Sequence, residues 1–183
     1  MSSNFRKSTS ESAQELLIKK PVYLDTETTG TGANAEIVEI SIIDADGEVL
    51  VDTLVKPNRR IPLDAVRIHG ITDQMVQCAL SWMLVWPSVE EILHDRVVGI
   101  YNADFDLRMM RQNNQLYGLV WRNPARKVFC IMKMYAEFYG SGRWQTLVNA
   151  GLQCGIPLPN SHRALDDTKL AREVFLYMAE FSR

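Results

Sequence analysis

Residues 21–30 read Pro21-Val22-Tyr23-Leu24-Asp25-Thr26-Glu27-Thr28-Thr29-Gly30, a short apolar run that leads into two acids and closes on a glycine. This pattern predicts a buried strand that ends in a turn. Because side chains on a strand alternate between its faces, Tyr23, Asp25 and Glu27 share one face. A rise of about 3.3 Å per residue places the two carboxylates roughly 7 Å apart along the backbone.

Two acids on one strand face allow two interpretations. Like charges this close resist burial unless a cation lies between them, and a pair of divalent metal ions would satisfy that requirement. The alternative is two acids on a solvated strand end, which is the commoner explanation of an isolated Asp-x-Glu. A metal site therefore requires further ligands from the rest of the chain.

The overall composition predicts one soluble globular domain. The chain has 183 residues, of which 46% are hydrophobic and 23% charged. Its net charge of −2 gives no general basic field for nucleic acid, although a local basic groove is compatible with it. Cys78, Cys130 and Cys154 lack any C-x-x-C spacing, which predicts free thiols in a reducing compartment. No apolar run reaches 18 residues and no signal peptide is evident, so we expect a cytoplasmic protein with no membrane partner.

The order of elements predicts a five-stranded mixed α/β sheet. Residues 1–20 are polar and are expected to form a mobile N-terminal tail, which leaves one domain at 21–183. Asp46-Gly47 predicts a hairpin between the second and third strands. After the first strand, further strands are expected at 36–43, 48–55, 97–101 and 127–131. Helices are expected at 61–67, 72–78, 132–139, 145–154 and 164–181. One further helix is expected to begin at Pro87-Ser88, and another to follow the loop at 102–106 and end near residue 117. A break is expected at 140–142 and a rigid loop at 157–160.

The last helix contains an acid on its apolar face. Asp167 lies three residues after Ala164 and four before Ala171, on the stripe that faces the core. A buried carboxylate costs several kcal/mol unless it is paired or ligates a metal ion. Both a Lys or Arg partner and a metal ion remain open. The other members of the stripe are Val174, Phe175 and Met178.

The loop after the fourth strand offers two further acids, Asp104 and Asp106. An aspartate near a helix N-terminus is often only a favourable charge at the helix dipole. We nevertheless favour Asp106 as a site residue, because it points with Met109, Met110 and Asn113, while Asp104 precedes the helix.

Of the three histidines, His162 lies in the loop that enters the last helix, five residues before Asp167. Imidazole titrates near neutrality, so His162 could take a proton from water, although a loop histidine is more often ordinary surface. His69 lies in a tight turn beside Gly70, where a turn role and a substrate contact are both open. We interpret His94 as structural.

Three segments together resemble the exonuclease motifs of the DnaQ-like DEDDh family. They are Asp25-Thr26-Glu27-Thr28-Thr29-Gly30, then Asn102-x-x-Phe105-Asp106, then His162-x-x-x-x-Asp167, in the family's order. Residues 68–72, Ile68-His69-Gly70-Ile71-Thr72, are similar to a further segment of that family. The resemblance implies an RNase H-like fold, with a five-stranded mixed sheet flanked by helices on both sides.

The resemblance also implies roles for individual residues. Asp25, Glu27, Asp106 and Asp167 would bind two Mg²⁺ (or Mn²⁺) ions, and His162 would be the general base. Substrate contacts would come from Thr28, Thr29, Gly30, His69, Asn102 and Phe105. Hard oxygen ligands suit these cations, and four carboxylates neutralise two of them while leaving positions for water and phosphate.

The activity implied is that of a metal-dependent 3′–5′ exonuclease that releases 5′-mononucleotides from single-stranded DNA or short RNA. Two alternatives stay open: an exoribonuclease that processes RNA 3′ ends, and a catalytically silent module that binds nucleic acid or a protein partner. A homodimer could use Trp82, Trp86 and the apolar stretch 80–85. The chain ends soon after Asp167, so no polymerase-binding tail is expected.

Two positions depart from the family pattern. Many relatives have histidine where Tyr101 stands, directly before Asn102. Many also have leucine directly after the motif's glycine, where it packs on the terminal base, but this chain has Thr31. Base stacking at that position is therefore in doubt, and Thr31 or nearby backbone would have to replace it.

Overall fold

The computed structural model describes residues 2–140, 142–158 and 162–181 and contains a six-stranded mixed sheet. The spatial order is β4-β3-β2-β1-β5-β6. The first strand pairs antiparallel with the second and parallel with the fifth, so it is central. The strands are β1 (Val22–Thr28), β2 (Ile37–Ile43), β3 (Val49–Lys56), β4 (Leu80–Ser81), β5 (Val97–Ile100) and β6 (Lys127–Cys130).

Eight helices are present in the described part of the chain, and they cover both faces of the sheet. Tyr23 and Phe129 of the sheet belong to one apolar cluster with Phe175, and Val22 and Leu24 to another on the opposite face. The helices are α1 (Ser2–Leu17), α2 (Leu63–His69), α3 (Asp73–Val76), α4 (Trp82–Leu93), α5 (Ala103–Leu116), α6 (Ile131–Tyr139), α7 (Leu147–Gln153) and α8 (Ala164–Ala179). Helices α1, α6, α7 and α8 contribute to the first cluster, and α4 and α5 to the second.

The strand predictions are confirmed in class but not in number. The sequence predicts five strands, and the sixth is β4, a two-residue edge strand that pairs parallel with the end of β3. A pair of residues carries no alternation, so no sequence pattern indicates it. The predicted hairpin is present: Gly47 has φ 93, and the Asp44 carboxylate accepts hydrogen bonds from the amides of Asp46 and Glu48.

The expectation of a mobile N-terminal tail is wrong for the described residues. Helix α1 packs on α6 and α8, with Ala13 and Leu16 buried in the core. Its polar side chains also have partners, because Ser10 Oγ donates to the carbonyl of Phe181 and Gln14 Nε2 to that of Ala179. The sequence shows only a short apolar stripe here, so the helix depends on tertiary contacts that composition does not reveal.

The two tryptophans considered for a dimer surface belong to the core. Trp82 is completely buried and donates from Nε1 to Asn114 Oδ1 at 2.7 Å, and Trp86 is 3% exposed. Helix α4 begins at Trp82, earlier than the predicted start at Pro87-Ser88. The surface of the stretch 80–85 is instead apolar through Leu80, Met83 and Leu84. In the described residues no helix has the length and apolarity needed to cross a membrane.

Some loop predictions can be followed only in part. Gly140 ends α6 in the left-handed region, with φ 72, as the predicted break requires. Ser141 lies outside the described residues. The rigid loop predicted at 157–160 is described only as far as Leu158, because residues 159–161 also lie outside them.

Candidate active site

Asp25 and Glu27 lie on the central strand, on the face covered by α8. Tyr23, two residues earlier on the same face, packs its ring 5.8 Å from that of Phe175 in α8. Asp25 and Glu27 follow at the end of β1 and are half-buried. The sheet and α8 therefore shield both carboxylates from part of the solvent.

Asp167, in the first turn of α8, meets these two acids. One carboxylate oxygen from each of Asp25, Glu27 and Asp167 lies within 4.8 Å of the others. His162 Nδ1 lies 3.9 Å from Asp167 Oδ2, and the His162 side chain is 56% exposed whereas that of Asp167 is 17% exposed. The structure thus brings the first and third sequence motifs together, with an accessible imidazole at the edge of three carboxylates.

Asp106 approaches from the opposite side of β1. It lies in the first turn of α5, is 3% exposed, and accepts a hydrogen bond from Thr26 Oγ1 at 2.7 Å. Its carboxylate is not part of the three-acid group, although its charge contributes to the raised pKa of Asp25. Asp104 instead is exposed and pairs with Lys133 at 2.6 Å, outside the site.

The four acids hold their protons more tightly than ordinary carboxyls. Burial, then the charges of Asp106 and Glu27, raise the pKa of Asp25 well above its usual value. Burial, then the charge of Asp167, raises the pKa of Glu27 to about 8. Burial raises the pKa of Asp106 to about 7 despite the Thr26 hydrogen bond, and that of Asp167 to about 6 despite His162.

In these shifts, burial and the neighbouring acids outweigh the nearby His162 and Arg163. Carboxylates crowded in a low dielectric environment bind either protons or cations. Oxygen donors are the ligands that Mg²⁺, Mn²⁺ and Ca²⁺ prefer, and three of them within 4.8 Å can contact a shared ion. Asp25, Glu27 and Asp167 therefore fit a hard divalent cation.

Sequence reasoning missed an ion pair beside the site, formed by Glu39 and Arg163. Glu39 is opposite Glu27 in the register of β1 and β2 and is 2% exposed. It accepts two hydrogen bonds from Arg163 Nε at 3.0 Å, one from Arg163 Nη2, and one from the Ala164 amide at 2.9 Å. Since Arg163 directly follows His162, this pair fixes the backbone that carries the imidazole. The sequence feature that could have indicated this pair is Glu39 itself, an acid inside the apolar run 37–43.

Thr28, Thr29 and Gly30 form the turn that ends β1. Thr28 Oγ1 donates to the Gly30 carbonyl at 2.7 Å, and Thr29 Oγ1 accepts from the Glu36 amide at 2.9 Å. Gly30 has φ 145, and no atom lies within 4 Å of where its Cβ would be. The turn therefore leaves open space next to the acids.

His69 is buried at the same end of the sheet. It is 4% exposed, and its Nδ1 accepts from the Ile71 amide at 3.0 Å. This contact assigns the proton of the neutral ring to Nε2, which is buried beside the Thr28 backbone. Burial lowers the pKa of His69, with the Thr28 backbone opposing the shift. His69 therefore keeps a buried N–H beside the Thr28 backbone at the turn.

Asn102 and Phe105 lie at the start of α5, Asn102 exposed and Phe105 half-buried. The guanidinium of Arg108 lies 5.3 Å from the centre of the Phe105 ring and donates to the Thr31 carbonyl at 3.1 Å. This hydrogen bond is made at Thr31, the position where many relatives have leucine. The other departure, Tyr101, is buried and donates from its hydroxyl to the Gln145 carbonyl at 3.0 Å, so it supports the loop before α7.

Comparison with known proteins agrees with this geometry. The protein family described as "Exonuclease" matches residues 22–175. The uncharacterized exonuclease CP81 of Escherichia phage 186 is 40% identical over 174 residues, which cover 88% of this chain and 89% of that protein. A PolC-type DNA polymerase III of Thermotoga maritima is 32% identical over 167 residues, but the match spans only 12% of its length.

Solved structures support the same assignment. Exonuclease X, in complex with 5′-overhanging duplex DNA, superposes with a TM-score of 0.62 and 25% identity, over 88% of this chain and 93% of that one. The family match covers most of the chain, and the fold is RNase H-like, as the motifs predicted. The chain belongs to the DnaQ-like DEDDh exonuclease family and is a nuclease of the hydrolase class.

Proposed function

We propose that the chain is a 3′–5′ exonuclease that uses two divalent cations, Mg²⁺ or Mn²⁺, to remove 5′-mononucleotides from single-stranded DNA or short RNA. One observation carries this proposal: three carboxylates from two distant segments meet within 4.8 Å, and His162 lies at their edge. An acidic cluster alone is common on proteins, but here two of the shared motifs supply its members.

Each site residue has a role in this proposal. Asp25, Glu27 and Asp167 hold the cations, and Asp106 completes the set from the other side of β1. When bound, such cations lower the pKa of an attacking water and neutralise charge on the phosphate. His162 is exposed and next to Asp167, so its imidazole can take the proton of that water and deliver it to solvent.

The residues around the acids would hold the terminal nucleotide. His69 would act from beside Thr28, and the open turn at Thr28, Thr29 and Gly30 would let the nucleotide backbone approach. Asn102 and Phe105 flank the other side of the site. In Exonuclease X, a relative in fold, a duplex with a 5′ overhang is bound, and such a duplex has a recessed 3′ end.

The test is digestion of matched 5′-labelled DNA and RNA oligonucleotides with Mg²⁺ or Mn²⁺, with EDTA as control. We expect a ladder that shortens from the 3′ end, and the faster substrate identifies the preferred sugar. Asp167→Asn should reduce the rate by about 10³-fold, since it removes charge stabilisation of the transition state. Asp104→Asn is the matched control, because that acid is exposed and lies outside the site.

The outcomes separate the alternatives. Faster digestion of RNA would favour an RNA-processing enzyme over a DNA exonuclease. Binding of oligonucleotides without any cleavage, in folded protein supplied with Mn²⁺, would contradict the catalytic proposal and leave the binding module.

A further inference from the structure

A loop with three cations lies beside the candidate site. Residues 56–60, here called the basic loop, read Lys56-Pro57-Asn58-Arg59-Arg60 and continue β3. In the register of β2 and β3, Glu39 is opposite Leu54, so Lys56 is level with Ile37, which pairs with Thr28. The basic loop is therefore at the same end of the sheet as the acids, two strands away.

That separation suits a polynucleotide. Neighbouring strands are about 4.8 Å apart, so Lys56 lies about 10 Å from the end of β1. A fully stacked nucleic acid strand advances about 3.4 Å per nucleotide, so the gap corresponds to at most about three nucleotides. A strand whose 3′ end occupies the acids can thus reach the basic loop a few nucleotides upstream.

The charges of the basic loop are not neutralised within the described structure. Lys56, Arg59 and Arg60 are exposed, and none of them forms an ion pair with a described residue. They line a shallow groove of about 230 Å³ whose one acid is Asp73. An oxygen of Asp73 already accepts a hydrogen bond from the Ile61 amide at 2.9 Å. In a chain of net charge −2, this is a local concentration of positive charge next to a negative site.

One buried residue, Glu36, holds the basic loop through its carboxylate and the turn of the site through its backbone. Glu36 is 2% exposed, and its carboxylate accepts from the amides of Asn58 at 2.8 Å and Arg59 at 3.2 Å. Tyr117 also donates to it at 3.0 Å. The backbone of Glu36 exchanges hydrogen bonds with Thr29, at 2.8 Å through the Thr29 amide and 2.9 Å through its hydroxyl. The spacing between the basic loop and the acids is therefore fixed before substrate binds.

We propose that the basic loop binds the phosphodiester backbone of the substrate strand a few nucleotides upstream of the bond that is cut. This rests on the proposed exonuclease function. Phosphate contacts by Lys and Arg carry most of the affinity of sequence-independent nucleic acid binding. The four site acids repel a polyanion, so attraction has to come from a separate surface, and this loop is aligned with the site to provide it.

The test compares a loop variant with a charge-matched control. Lys56→Gln/Arg59→Gln/Arg60→Gln removes three exposed cations from the basic loop. Lys19→Gln/Arg126→Gln/Lys127→Gln removes three exposed cations around a groove at the other end of the sheet, near the start of β5 and β6. Binding of a labelled single strand is measured by fluorescence anisotropy in EDTA, over a range of salt concentrations.

We expect the loop variant to lose about 0.7 in the slope of log affinity against log salt for each phosphate contact removed, about 2 in total. In turnover assays the KM of the loop variant should exceed that of the unmodified protein, and this difference should be larger for longer oligonucleotides. Its kcat should stay close to that of the unmodified protein. The inference is overturned if the slope does not change, or if the control variant loses as much. Because anisotropy needs no turnover, an inactive protein would contradict the proposed function, while the salt slopes of the two variants would still support or overturn this inference.

Discussion

Two groups of carboxylates at one end of this sheet have opposite surroundings. Glu36 and Glu39 are each 2% exposed, and both accept hydrogen bonds from backbone amides, a phenol or a guanidinium. Asp25, Glu27 and Asp167 are less buried, yet they face one another and their pKa values are raised. The carboxylates of the first group thus stabilise the fold through hydrogen bonds, whereas those of the second group require a cation to balance their charge.

The difference lies in the donors and not in the depth of burial. A buried carboxylate is stable when N–H or O–H groups occupy its oxygens, and costly when its neighbours are other acids. Asp106 is intermediate, since it is deeply buried and has one hydroxyl donor from Thr26, but its pKa is still raised to about 7. Donors therefore distinguish structural acids from reactive ones in this fold.

The largest effect is expected for Glu27→Gln. The neutral amide cannot help to hold divalent cations, so activity should fall by about 10³-fold. The same change removes repulsion among the acids, so the Tm of the metal-free protein should rise, by about 2–4 °C for each kcal/mol of repulsion relieved. Nuclease assays and thermal unfolding in EDTA measure the two effects. A loss of stability would mean that Glu27 is an anchor like Glu39.

A smaller effect on activity is expected for Glu39→Gln, together with a loss of stability where Glu27→Gln gives a gain. It breaks a buried pair and leaves Arg163 with a weaker partner, which should lower the free energy of unfolding by about 2 kcal/mol. Activity should fall as well, because Arg163 fixes the backbone next to His162. Urea denaturation measures the stability, and Glu39→Asp tests whether a shorter carboxylate restores part of both. Unchanged stability would show that the pair does not anchor α8.

A separate effect concerns the pH dependence of stability in the absence of metal. The folded pKa values of Asp167, Asp106 and Glu27, about 6, 7 and 8, lie above their ordinary values. The folded state therefore binds protons more tightly than the unfolded state, so the contribution of these acids to stability is greatest below the ordinary carboxyl pKa of about 4 and is lost as pH rises from there to 8. The slope is about 1.4 kcal/mol per pH unit for each proton concerned.

Denaturation in EDTA across that range measures the decline, and Glu27→Gln should reduce it. Saturating Mg²⁺ should also reduce it, since the cation replaces the protons. Stability that increases from pH 6 to 8 in EDTA would contradict the raised pKa values.

Local patterns in the sequence predict much of this arrangement. Helical periodicity favoured Asp106 over Asp104, and the structure buries Asp106 together with Met109, Met110 and Asn113. The apolar stripe of α8 likewise placed Asp167 towards the sheet, where it meets the acids of β1. Both inferences need only the spacing of residues within one element.

Contacts between distant segments could not be predicted from the sequence. Glu39 and Arg163 are 124 residues apart, and nothing local indicates that they pair. The same holds for Glu36, whose partners at Asn58 and Tyr117 belong to other elements. The docking of α1 was missed for this reason as well, since its few apolar residues gain their burial from α6 and α8.

The position of α1 also has a consequence for synthesis on the ribosome. Arg6, Ser10 and Gln14 donate to carbonyls of Phe138, Phe181 and Ala179, which are 132, 171 and 165 residues further along the chain. Helix α1 is thus translated well before these partners exist. Its docking can be completed only once α8 has left the ribosome, so α1 reaches its native position after segments that are translated later than it.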